Sequence, residues 1–207
     1  MKIAIDINDV IRDFTSQFKN YYIKAIDPSF EIDDEAINSF ELDKVFPFKD
    51  DKEYKMFRYV DYAFELYTRA EAVDKMLPYR LNDWTQKTLK NLDKDKIPEI
   101  MLVSPFEAGK TIQSTYAFLS KISSTIREVY FPVVSSTIWD RCDILITANP
   151  HLIENVPENK IVIKIEKPYN KNVESKYSFK SLTDVINDEN ETIIKILTQE
   201  NDGESNE

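Results

Sequence analysis

Glycine is almost missing from this chain. Its 207 residues include two, Gly109 and Gly203, where average usage of about 7% would supply roughly fourteen. A P-loop needs two glycines at fixed spacing before a Lys, and a dinucleotide fingerprint needs three. Neither can be written here, so any phosphate this chain holds is held without a glycine-rich cradle. Cysteine and histidine are as scarce, with Cys142 and His151 alone. One Cys excludes a disulfide framework, and one His argues against a His-built zinc site. Basic residues are in deficit: 27 Lys and Arg face 37 Asp and Glu, giving a net charge of -10 and a pI of about 4.8. A phosphate backbone or an anionic membrane calls for a basic face, so neither nucleic-acid backbone nor membrane is expected as a partner. No apolar run approaches the ~20 residues of a membrane span. The first residues read as a strand and not as a secretory signal, so the expected location is a reducing compartment, the cytoplasm.

What is present reads as an α/β protein. Residues 2–7 are a short β-branched run suited to a buried strand. From Val10 to Ala25 the apolar residues fall at helical spacing (Val10, Phe14, Phe18, Tyr21, Tyr22, Ala25), with Asn8 or Asp9 as a cap and Asp27-Pro28-Ser29 as the end. Residues 28–78 are acidic and aromatic, with helical stretches near 33–38, 51–70 and 71–76. Fourteen of the chain's 25 aromatic residues lie within 14–67. They are expected either to pack a small core or to offer a nucleobase platform or partner surface.

From Pro78 onward the pattern alternates. A helix fits 81–92 (Leu81, Trp84, Leu89, Leu92), a strand 99–104, a helix 109–122, strands 127–132 and 143–148, a helix 150–155, a strand 160–166 and helical turns 181–199. Such alternation implies a Rossmann-like parallel sheet with helices on both faces. The expected organisation is an α/β core from 1–14 and 78–199, a helical, aromatic-rich cap insert at 15–77, and a disordered acidic tail at 200–207.

Ligands of open α/β sheets bind outside the carboxyl ends of the strands. Three such ends carry Asp6-Ile7-Asn8-Asp9-Val10-Ile11-Arg12-Asp13-Phe14, then Ser104-Pro105-Phe106-Glu107, then Thr147-Ala148-Asn149-Pro150-His151. Taken together they resemble the haloacid dehalogenase-like (HAD) phosphohydrolases, and among these the 5′(3′)-deoxyribonucleotidase branch. Residues 6–14 keep the length and framing residues of an Asp-x-Asp-Gly-Val-x-x-Asp-Phe motif. Val103-Ser104-Pro105 and Ile146-Thr147-Ala148-Asn149-Pro150 keep the frames of the second and fourth motifs, and Lys167-Pro168-Tyr169-Asn170 also looks like that branch. The resemblance implies a HAD-like core with a cap, Asp6 as nucleophile, and Ser104 at the phosphate.

It equally implies losses. Asn8 stands where the acid/base Asp belongs, and an amide has no titratable proton near neutral pH. General acid–base catalysis contributes about 10²–10⁴-fold. Thr147 and Ala148 replace the paired metal-binding acids, and Mg²⁺ prefers carboxylates. No Lys occupies 134–138, and Asp9 replaces the motif's glycine. Substitutes remain open: Lys110 for the missing Lys and the phosphate, Asp9 as a displaced acid, Asp140 or Asp143 as nearby acids, and Asn149 with Asp6 as weak metal ligands. His151 is expected at the first turn of a short helix with no role in the site, and Cys142 is expected to be buried and not reactive.

The coordinated losses imply a protein that keeps the fold and has dropped the chemistry, with no cofactor, serving as a binding or structural module. A protein partner is expected at the aromatic insert, with nucleotide left open as a ligand. Relatives of this branch occur in phages, so a virion is an expected setting too. The alternatives are a weak Mg²⁺-dependent phosphohydrolase acting on 5′-nucleotides through Asp6, and shared α/β architecture alone.

Overall fold

The computed structural model describes residues 1–88, 92, 94, 97–188 and 191–199. Leu89 of the helix expected at 81–92, and the tail expected at 200–207, lie outside the described residues. Among the described residues six strands form one parallel sheet: β1 Lys2–Asp6, β2 Glu99–Val103, β3 Glu128–Tyr130, β4 Ile144–Thr147, β5 Ile161–Ile165 and β6 Tyr177–Phe179, in the order β3-β2-β1-β4-β5-β6. The helices are α1 Phe14–Ala25, α2 Asp51–Met56, α3 Ala63–Thr68, α4 Leu77–Asp83, α5 Lys110–Lys121, α6 Pro150–Glu154, α7 Leu182–Ile186 and α8 Thr192–Gln199. The class is the expected Rossmann-like α/β fold.

The period of two along each strand divides the core. Ile3, Ile5, Leu102, Ile144, Ile146 and Ile163 turn to one face, where they meet side chains of α4, α5, α7 and α8. Ala4, Met101, Val103, Leu145 and Val162 turn to the other, against Ile138, Trp139 and the α6 residues Leu152 and Ile153. Burial on both faces is why these strands read as continuous apolar runs. Each fully buried Ile or Leu contributes about 1.5–3 kcal/mol.

The insert packs on itself. Phe18 of α1 lies 5.2 Å, ring centre to ring centre, from both Phe46 and Phe57, and 6.1 Å from Phe14 and Tyr54. Tyr22 joins the same cluster and donates its hydroxyl hydrogen bond to the Pro47 carbonyl. Most of the insert's aromatics are thereby consumed in a core of their own.

Three expectations shift. The first helix begins at Phe14, not Val10, because Val10 and Ile11 are drawn into the sheet core. The Ile7 carbonyl takes the N–H groups of both Ile11 (3.0 Å) and Arg12 (2.8 Å), closing a tight turn ahead of the helix. Residues 71–76 are not helical, since Asp13 N–H donates to the Glu71 carbonyl and Val73 N–H to that of Ile11, both at 2.9 Å, in extended pairing. The expected helix at 51–70 is α2, a wider π-helical stretch Phe57–Asp61, and α3. Strand β6 has no counterpart in the sequence reading, being three half-buried or exposed residues with no apolar run.

Phe18→Ala should lower stability by about 3–5 kcal/mol, the usual cost of emptying an aromatic core position. Urea denaturation should show this as a lower midpoint with an unchanged slope.

Candidate functional site

Strand order reverses direction at β1, which lies between β2 and β4. This is the switch point at which an open sheet leaves a crevice, and the ends of these three strands supply the residues singled out above. Asp6 ends β1 and is buried. Its Oδ2 accepts a hydrogen bond from the Thr147 hydroxyl at 2.8 Å, while its Oδ1 has no partner. Asp6 lines a recess of about 50 Å³ with Asn8, Asp9, Thr15, Arg58 and Asn149. That space admits a few waters or a small ion. Burial pushes the Asp6 carboxyl up to about 7 against the pull of the Thr147 hydroxyl, with a further push from the charges of Asp9 and Glu107.

Asn8 is committed inward at both ends of its amide. Its Oδ1 accepts from Arg12 Nε (2.9 Å) and Nη2 (2.6 Å), and its Nδ2 donates to the Ser104 hydroxyl at 3.2 Å. Arg12 is fully buried. Its Nη2 also meets Glu107 Oε1 at 2.7 Å, and its Nη1 donates to Thr115 Oγ1 (2.6 Å) and the Tyr67 carbonyl (3.1 Å). The guanidinium further lies 4.7 Å from the Tyr67 ring centre and 5.3 Å from that of Phe118. Ser104 gives its proton to Glu107 Oε1, and Thr115 gives its own to Oε2 at 2.6 Å.

Asp9 adopts a φ of 59°, the left-handed region that glycine enters freely and Asp tolerates better than most. Its Oδ1 accepts from the Thr15 backbone N–H in the first turn of α1, and its Oδ2 accepts from the hydroxyls of Thr15 and Tyr169. Asp9 therefore caps α1 from outside the helix. Asn170 binds the loops after β4 and β5 together, donating to the carbonyls of Ala148 and Ile165 at 2.8 Å each.

Asp6, Asn8 and Ser104 converge, and Asn149 joins them at the recess wall. Lys110 does not line the recess: it is exposed at the start of α5, with its Nζ 3.5 Å from the Val60 carbonyl. Asp140 is exposed, and Asp143 sits at the opposite end of the strands, just before β4, paired with Lys160 and the Lys2 backbone N–H. His151 is exposed. Cys142 is buried and its thiol is pushed up to about 12 by that burial.

Three residues escaped the sequence reading: Arg12, Glu107 and Arg58. A signal existed for the first two, an Arg inside the apolar run Val10-Ile11-Arg12 and a Glu three residues after Ser104. Arg58 reaches the recess from the insert, donating to the hydroxyls of Tyr54 (2.6 Å) and Tyr67 (3.1 Å). Among the described residues it makes no ion pair.

The oxygens here do not suit Mg²⁺, which demands near-octahedral oxygen coordination. Both Asp9 oxygens are engaged, and the Thr147 hydroxyl points its proton at Asp6. The Asn149 Oδ1 accepts from His151 N–H at 3.0 Å to cap α6, leaving only its NH₂ without a partner. No cluster of three His, Cys, Asp or Glu suited to a metal occurs among the described residues.

Neither a scan against protein-family models nor a search of curated proteins returns a match. Solved structures do match. A protein described as a haloacid dehalogenase-like hydrolase from Burkholderia xenovorans aligns over 92% of this chain and 97% of its own, at 6% identity and a TM-score of 0.50. A dehalogenase in an intermediate complex aligns over 88% and 94%, at 12% identity and a TM-score of 0.45. The HAD hydrolase YfnB of Bacillus subtilis, bound to magnesium, aligns over 95% and 98%, at 12% identity and a TM-score of 0.47. At such identities the likeness is one of fold: the six-stranded parallel sheet with its helices is a Rossmann-like α/β fold that the Burkholderia protein shares.

Between the ordinary Asp value of 3.8 and about 7, the folded chain keeps a proton on Asp6 that the unfolded chain has lost. Stability contributed by this group is present below that window, falls as pH rises through it, and levels off above it, at most ~1.4 kcal/mol per unit. Asp6→Asn should remove this slope, so the variant gains on the wild type from pH 4 to 8. Parallel thermal unfolding curves across that range would disprove the shift.

Proposed function

We propose that this chain is a HAD-like, 5′-nucleotidase-related protein that has lost phosphohydrolase chemistry and acts as a binding or structural module. One observation carries the reading: the groups such an enzyme aims at its substrate are spent on other groups of the same chain. Asn8 clasps Arg12 and Ser104, the Ser104 hydroxyl is given to Glu107, and Asp9 caps a helix. With no titratable proton at Asn8 and no oxygen set for Mg²⁺, acid–base and metal assistance are both missing.

On this reading the partner is a protein that meets the insert. Its buried aromatics hold the shape, and Met56, Val60 and Phe64 stand exposed. The resemblance to a branch found in phages supports a larger assembly such as a virion as the setting. A second reading, weak hydrolysis of 5′-nucleotides through Asp6, draws support from the unpartnered Asp6 Oδ1 and from Arg58 on the same recess.

Assays on p-nitrophenyl phosphate and nucleoside 5′-monophosphates with Mg²⁺ decide between them. The expected result is turnover no higher than in an Asp6→Asn control, and a flat calorimetric titration with millimolar Mg²⁺. Robust turnover abolished by Asp6→Asn would establish the second reading instead.

A further inference from the structure

Glu107 stands in the loop after β2 with its carboxylate buried (side chain 1% exposed) and three donors converging on it from three parts of the chain. Arg12 Nη2 comes from the loop after β1 at 2.7 Å, the Ser104 hydroxyl from the end of β2, and the Thr115 hydroxyl from α5 at 2.6 Å. A cation and two hydroxyls closing on one dry carboxylate have the composition of a site that binds an anion. The turn that carries Glu107 inward holds Phe106 at a φ of 69°, a conformation costly for a bulky residue, with Phe106 left 44% exposed.

We infer that Arg12, Ser104 and Thr115 form a carboxylate-binding site whose permanent occupant is the chain's own Glu107. The site lies beside the recess and not in it, since Asn8 and Pro105 line the recess and Glu107 does not. The internal carboxylate holds the Ser104 hydroxyl directly, and its partner Arg12 holds the Asn8 amide oxygen. The inference rests on the reading that this end of the sheet no longer handles phosphate, and it gives that loss a physical cause: the donors already have an anion.

Truncating Glu107 to Ala removes an acetate-sized group and leaves Arg12 buried without its partner, so added acetate is the probe. Glu107→Ala should melt on the order of 10 °C below wild type. Millimolar acetate or formate should raise that melting temperature saturably, recovering most of the loss. The same additions should leave wild type and the Arg12→Met/Glu107→Ala double variant unmoved, and benzoate, too large for the space, should do nothing. Absence of acetate rescue, or equal rescue of the double variant, overturns the inference. Rescue by inorganic phosphate but not by acetate overturns the carboxylate assignment. If Glu107→Ala is insoluble, refolding yield with and without acetate is the readout, and failure of acetate to raise it counts against the inference. Phosphatase turnover by the wild type sinks the functional reading and leaves acetate rescue to be judged separately.

Discussion

The buried pair of Arg12 and Glu107 is the constraint on which the rest of the site depends. Neither charge is tolerable alone in the interior: removing one partner of such a pair typically costs 3–5 kcal/mol, because the other is left without solvent or counter-charge. Together they are satisfied only when several separate pieces of chain are in register. Arg12 needs the Asn8 amide, the Thr115 hydroxyl and the Tyr67 carbonyl of α3, and Glu107 needs Ser104 and Thr115. The pair therefore joins the loop after β1, the loop after β2, α5 and the end of the insert. It also gives the buried Glu107 a counter-charge in a chain already carrying ten excess negative charges.

The shortage of glycine meets the site at Asp9. The turn after β1 requires a left-handed residue, and the motif this segment resembles supplies glycine there. Asp is among the few residues that adopt the conformation at modest cost, and here its carboxylate is put to use on Thr15 and Tyr169. Asn149 has gone the same way, its oxygen holding the first turn of α6. Both side chains are thereby spent on the first turns of helices.

How far this was legible follows from the range of the interactions. The strands around Ile3, Ile5, Leu102 and Ile146 could be read because burial on both faces writes a local apolar run. Strand β6 could not, because its residues, only partly buried at the end of the sheet order, carry no such run. Asp6, Asn8, Ser104 and Asn149 could be picked out because strand ends mark where a site forms. Arg12 and Glu107 lie 95 positions apart, and nothing local distinguishes a charged residue that finds its counter-ion from one that stays in solvent. Lys110 shows the converse: proximity in sequence to Ser104 suggested a shared role, and the start of α5 holds it outside the recess.

The two unpartnered atoms of the recess sharpen the chemical argument. Asp6 Oδ1 is an acceptor and Asn149 Nδ2 a donor, both buried on the same wall. A divalent cation satisfies the first and is repelled by the second. The amide cannot be turned over to offer its oxygen without leaving the His151 N–H of α6 unmet. Nor is Asp6 a fixed negative charge near neutrality, since burial holds its proton to about pH 7. A carboxyl that is half protonated beside an amide N–H complements a group that both donates and accepts a hydrogen bond, such as a hydroxyl. With Arg58 on the same recess, this wall does not present the all-oxygen set that a divalent cation demands.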